Sequence, residues 1–277
     1  MKHYLKLLNW EINRFSKFYM VLGLVTLVLQ FVGVFLSANH LMSSANRAMY
    51  LHSLSVNEYV ARFGKINVEH GFQSLWFAGP IMLCVAILLL YVFLIWYREW
   101  LGKSTFAYRL LMLPTSRMNI YLAKLSAILL FVLGLVTFQL LLLPLQLATY
   151  NVMIPSELRT SLSVVEIIGG HELLSIFIPP YFMQFVLYYG AGVVGVIVVF
   201  TAILLERSFR LKGIVAGVVY GIAAGLLFAL PTFVSWVWYP DYFYPIEVLL
   251  MRVMVGALII CGSLWLSSYL LRKKITI

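Results

Sequence analysis

The sequence predicts an all-α integral membrane protein with six transmembrane helices, and three observations carry that reading. Only 11% of the 277 residues are charged, where a soluble domain carries about 25%. Mean hydropathy is +0.96, so lipid is the solvent for most of the chain. Six apolar runs, residues 18–37, 75–97, 119–148, 180–205, 213–237 and 246–271, each reach the ~20 residues that an α-helix needs to cross a hydrocarbon core of ~30 Å. Together they make residues 1–277 a single transmembrane domain. The net charge of +10 does not point to nucleic acid, because the basic residues gather at the ends of the apolar runs. Cys84 and Cys261 lie within such runs and predict neither a disulfide framework nor a metal cluster.

Charge sets the orientation. With six spans, residues 1–17, 98–124, 206–212 and 272–277 share one side, and 15 of the 20 Lys and Arg lie there. The other five are Arg47, Arg62, Lys65, Arg159 and Arg252. Acids run the other way: three (Glu11, Glu99 and Glu206) on the basic side and seven opposite. The positive-inside rule therefore predicts cytoplasmic N- and C-termini, with residues 38–74 and 149–179 outside the cell.

Residues 1–17 predict a basic amphipathic helix lying in the membrane interface. Leu5, Leu8, Ile12, Phe15 and Tyr19 recur at helical spacing, with Lys6, Asn9, Asn13 and Lys17 opposite them. The first apolar run is too long for a signal peptide, and Leu36-Ser37-Ala38 is a poor cleavage site. Residues 38–74 hold His40, His52 and His70, whose spacings of 12 and 18 match no ligand pattern. Residues 149–179 hold an amphipathic stretch (156–168), Gly169-Gly170, and a second short stretch ending at Pro179-Pro180. His171-Glu172 begins like a zinc-protease helix, but Ser175 stands where the second ligand belongs. The fifth run carries Gly213, Gly217, Gly221 and Gly225 on one face, a helix-packing stripe that lets another backbone approach, within the subunit or between subunits. Pro231, Pro240 and Pro245 forbid one continuous helix into the last run, so residues 232–245 suit a short re-entrant element edged with interfacial aromatics. Deep polar residues are few. Arg252, only a few positions inside the last run, is expected to snorkel outward. The shortage of ionisable groups argues against an ion-coupled transporter. No paired carboxylates, catalytic triad or metal set can be read at the bilayer face, so no enzymatic activity is expected of this chain.

The polar island 98–124 is different in kind. Arg98, Lys103, Arg109, Arg117 and Lys124 stand against Glu99 alone. Gly102-Lys103-Ser104 ends like a phosphate loop, but that motif needs a glycine at position 97, which is Tyr. Read as a helix, residues 99–112 pair Glu99 with Lys103 and put Leu101, Thr105, Tyr108 and Met112 on one face. Leu113-Pro114 then stops it.

Arg98-Glu99, Thr105, Leu110-Leu111, Leu113-Pro114-Thr115-Ser116-Arg117, Tyr121 and Ala123-Lys124 resemble the first cytoplasmic loop of type-2 ATP-binding-cassette (ABC) exporter permeases. The likeness covers the whole chain in layout and about 27 residues in motif. The outer segments are longer than that family's minimal pattern. The resemblance implies a bacterial cytoplasmic-membrane permease, acting as a homodimer or a paralogous heterodimer. Each copy would dock on a separate ABC ATPase subunit that holds ATP and Mg, with no cofactor in this chain. Residues 98–118 would be the coupling loop. Its ATPase-coupling residues would be Glu99, Lys103, Thr105, Tyr108, Arg109 and Met112: Glu99 and Lys103 would orient its helix, and Tyr108, Arg109 and Met112 would touch the ATPase. Gln139, Gln184, Tyr188 and Tyr189 are candidates for a polar strip along the translocation path. The aromatics and the amphipathic outer segments suggest an amphiphilic cargo: an antimicrobial peptide, a drug or a membrane lipid. The alternative is a membrane sensor or assembly factor that binds a cell-wall or peptide ligand without transport.

Overall fold

The structure, a computed structural model, describes residues 2–100, 116–238 and 242–274. Its regular structure is helical: α1 (Lys2–His52), α2 (Val56–Phe63), α3 (Glu69–Phe72), α4 (Leu75–Trp100), α5 (Arg117–Met153), α6 (Val164–Gly170), α7 (Glu172–Phe177), α8 (Phe182–Phe209), α9 (Leu211–Phe233) and α10 (Pro245–Lys273). A π-helical turn, Val234–Trp238, follows α9. Helices α1, α4, α5, α8, α9 and α10 are long and apolar enough to cross a membrane, as a multi-pass membrane protein requires.

The helices outrun the apolar runs that announce them. Helix α1 has 51 residues, about 76 Å at 1.5 Å per residue, so the expected boundaries at residues 17 and 37 fall inside one unbroken helix. The separate interfacial helix over residues 1–17 is therefore not observed, and its expected apolar face is covered only in part. Phe15 on that face is 7% exposed but Leu5 is 58% exposed, while Glu11, off that face, is 2% exposed. The reason is electrostatic: Glu11 has counter-ions waiting for it, described below. The covered stripe of α1 continues through Leu22, Thr26, Gln30, Val34, Ala38 and Ala45, at steps of four or seven residues that keep one face of a helix inward.

Prolines end fewer helices here than they would in water. Pro80 lies inside α4, Pro144 inside α5 and Pro231 inside α9, where neighbouring helices can satisfy the freed backbone groups. The break expected before the last span falls after Trp238. Residues 232–238 prolong α9, while residues 239–241 lie outside the described residues. Helix α10 restarts with Pro245 at its first turn, and Glu247 accepts from the Tyr244 amide at 3.0 Å. Proline is suited to that position because the amide it lacks would have no partner there.

The chain forms two compact units: Met1–Arg14, Leu88–Leu130 and Tyr181–Ile277 in one, and Phe15–Ile87 with Phe131–Pro180 in the other. In the second, the segments between spans fold onto a core of Val34, Ile66, Phe72, Phe77, Tyr150 and Leu174, among others. Helices α2 and α6 each begin with a Ser–Glu capping box, Ser55–Glu58 and Ser163–Glu166. Ile66 and Arg159 form an isolated parallel bridge, with the Ile66 amide donating to the Leu158 carbonyl at 2.7 Å. A Cβ on Gly71 would lie 2.1 Å from the Tyr150 hydroxyl, so only glycine permits that approach.

In the first unit, α8, α9 and α10 pack around Val194, Ala224 and Ile259. The glycine stripe divides here. Cβ atoms on Gly213 and Gly217 would meet the backbone of α8, 2.2 Å from the Leu205 oxygen and 2.9 Å from the Ala202 oxygen. Gly221 and Gly225 have nothing within 4 Å. Half of the stripe is thus an internal α8–α9 contact, and the other half meets no backbone among the described residues.

Candidate functional site

The island's centre, residues 101–115, lies outside the described residues. Lys103, Thr105, Tyr108, Arg109 and Met112 fall there. Its two flanks are described, and both carry buried residues in the first unit.

Glu99 ends α4 and is 2% exposed; Lys124, two turns into α5, is 0% exposed. The Lys124 ammonium donates to Glu99 Oε1 at 2.6 Å, to Glu11 Oε1 at 2.7 Å and to the Ile95 carbonyl at 3.0 Å. An ammonium has three N–H donors, so this one is saturated. Two arginines complete the cluster: Arg98 Nη2 is 3.4 Å from Glu11 Oε2, and Arg14 Nη1 is 3.9 Å from Glu99 Oε1. Three cations thus face two carboxylates. Burial is tolerable because each carboxylate is both paired and hydrogen-bonded. Lys124 also sits 5.3 Å from the centre of the Trp96 ring, within cation–π range.

Two features differ from what the sequence suggests. Lys124 and Arg98, read there as basic flanks of apolar runs, are both ion-paired, and Lys124 is buried. Glu99 bonds Lys124; Lys103, the partner expected for it, lies outside the described residues. Two carboxylates, Glu11 and Glu99, do meet, though 88 positions apart in sequence. They meet as acceptors around one lysine.

The aromatic layer beside the cluster ties α4 and α5 to α8. Trp96 and Tyr121 both meet the Phe200 ring edge-on, at centroid distances of 5.5 and 5.4 Å. At the next residue of α8, the hydroxyls of Thr201 and Ser267 bond at 3.0 Å and join α8 to α10. On the α4 flank, the Tyr97 hydroxyl donates to Glu206 of α8. On the α5 flank, Arg117 donates to the Leu271 carbonyl of α10. Each flank of residues 101–115 is therefore bonded to several other helices. Sequence spacing alone could not find these partners, since every one is distant along the chain.

The path candidates divide between the two units. Gln139 belongs to the second unit, where it accepts from Gln30 Nε2 at 3.1 Å. Gln30 in turn accepts from Gln146 at 2.9 Å. These buried amides clamp α1 to α5, as polar residues commonly do between membrane helices. Gln184, Tyr188 and Tyr189 lie on α8 in the first unit. Tyr188 is 45% exposed, and the Tyr189 ring packs 4.4 Å from Phe185. Arg252 does not simply snorkel outward: its Nε donates to Thr232 Oγ1 on α9 at 2.6 Å. His171 is buried in edge contact with Phe77. Compared with known proteins, the chain matches no protein-family model, no curated protein and no solved structure.

Proposed function

We propose that this chain is a permease subunit of an ABC transporter of the type-2 exporter kind. It would sit in a bacterial cytoplasmic membrane with both termini in the cytoplasm, and would take its energy from a separate ATPase. One observation supports the reading best: both flanks of residues 101–115 are fastened, by buried bonds at Lys124 and part-buried bonds at Tyr97 and Arg117, to α1, α8 and α10. A segment that receives force from a partner needs stiff anchors, or the motion dissipates in side-chain rotation before it reaches the spans. Tyr108, Arg109 and Met112 would meet the ATPase, and Glu99 would hold the segment to the bundle through Lys124. ATP binding to the partner would then bias an equilibrium between inward- and outward-open arrangements. The cargo class remains an amphiphile: a peptide, drug or lipid.

The test is purification of the tagged chain from its native membrane in a mild detergent. An ABC ATPase is expected to come with it, as is a second permease copy, and ATP hydrolysis should respond to amphiphilic cargo. Recovery of the chain alone, with no nucleotide hydrolysis, would sink the proposal. A second reading, a ligand-binding sensor, is favoured by the ordered core that the connecting segments build in the second unit. It expects ligand binding there with no ATPase recovered.

A further inference from the structure

The cleft around Arg252 combines a charge and a polarity gradient in a way that names a ligand. Helices α8, α9 and α10 enclose an apolar cleft of about 180 Å³, lined by Gly190, Ala191, Phe228, Gly256 and Ala257 among others. The cleft exists because small residues on α8 and α10 leave space between the helices. Val186 and Val253, also lining it, are 39% and 44% exposed, so it opens toward lipid. Arg252 lies at one end of it.

Arg252 also lines a second cavity, of about 350 Å³, with Ser235, Phe243, Pro245 and Leu249. Along α10 the order is informative. Residues 245–252 border the second cavity and residues 252–260 border the apolar cleft. At 1.5 Å per residue the apolar part covers about 12 Å of depth. The second cavity lies at the helix ends, beside Trp236, Tyr242 and Tyr244, which are 82%, 73% and 73% exposed. Exposed Trp and Tyr at that level mark the headgroup zone of a bilayer. A cation thus stands where headgroup meets acyl chain, with a hydroxyl-bearing cavity on one side and a hydrocarbon-lined cleft on the other.

We infer that this is a binding site for an anionic phospholipid of the leaflet on the 242–244 side. Its phosphate would be held by Arg252, and one acyl chain would lie in the α8–α10 cleft. Arg252 donates to Thr232 through Nε and one Nη, and a guanidinium has five N–H donors in a fork suited to phosphate. Among the described residues, no carboxylate lines either cavity. Glu247, the nearest on α10, is occupied in the helix cap at Tyr244. The site stands whether or not an ATPase is bound.

The test uses the full chain in vesicles of phosphatidylcholine with graded phosphatidylglycerol. The chain is extracted in mild detergent and weighed intact to count retained lipids. The wild type should keep one phosphatidylglycerol in preference to phosphatidylcholine. Arg252→Gln should lower that retention roughly tenfold, as expected for loss of a charge-assisted hydrogen bond. Gly190→Leu adds its side chain at a position with open space around it, fills the cleft, and should lower retention of both lipids. Thr232→Ala removes the arginine's protein partner and keeps its charge, so the lipid should stay. Excess glycerol phosphate should not displace it, because a soluble headgroup brings no chain. Unchanged retention in Arg252→Gln would overturn the inference, as would loss of lipid in Thr232→Ala or displacement by glycerol phosphate. Should Arg252→Gln fail to insert, Thr232→Ala and Gly190→Leu carry the same decision.

Discussion

Around Lys124 three donors meet three acceptors in a site with no exposure. Removing the lysine leaves two buried carboxylates short of a counter-ion, a change that costs about 3–5 kcal/mol in comparable sites. Lys124→Met should therefore lower the melting temperature of the detergent-solubilised protein sharply. Glu11→Gln should be milder, because Lys124 keeps Glu99. Equal melting of wild type and Lys124→Met would show that the cluster holds nothing together. At this scale the sequence was a poor guide. Glu11, Glu99 and Lys124 each border an apolar run, and such charges usually face headgroups and water. Their pairing depends on how α1, α4 and α5 pack, and no local spacing encodes that. Arg252 was legible as a cation inside a span, but the cleft beside it depends on small residues from two helices.

Helices make sharper distinctions than their patterns suggest. The four-residue period of the α9 glycines was plain in the sequence, yet among the described residues only Gly213 and Gly217 of that stripe approach another backbone. Gly217→Leu should then destabilise by about 1–3 kcal/mol, the usual cost of overpacking, while Gly221→Leu should leave the melting temperature unchanged. Parallel thermal melts of the two variants decide it. A different test belongs to the short helices. Glu58 and Glu166 close the capping boxes of α2 and α6, accepting from the Ser55 and Ser163 amides at 2.7 Å. Those hydrogen bonds to the charged form hold both carboxyls below their usual value of 4.5. A depressed acid stabilises the fold above its unfolded pKa, and that contribution is lost as pH falls through the folded one. Protection against hydrogen exchange, taken relative to the intrinsic rate at each pH, should thus fall at the first turns of α2 and α6 below about pH 4.5. In Glu58→Gln and Glu166→Gln exchange should be faster at neutral pH and should lose that step. The capping signals were present in the sequence as Ser-x-x-Glu. They stood in segments read for amphipathicity, so their role as helix starts went unread.

For the whole molecule, the six spans were legible because crossing a bilayer demands about 20 apolar residues in a row, and few other structures do. Helix ends were less so: α1 and α5 continue well past their apolar runs, since a helix protruding into water needs no hydrophobic signal. If the chain is driven by an ATPase, Tyr108→Ala combined with Arg109→Glu should leave insertion and dimerisation intact while uncoupling hydrolysis from transport. Wild-type transport by that double variant would remove residues 101–115 from the drive. The saturated lysine supplies a readout for such work. Lys6, Lys17 and Lys212 are exposed, whereas Lys124 is sealed. An amine-reactive reagent should label the first three and spare the fourth. Any step in a working cycle that pries α1 from α5 would unmask it, so a single footprint on Lys124 would time the opening of the bundle.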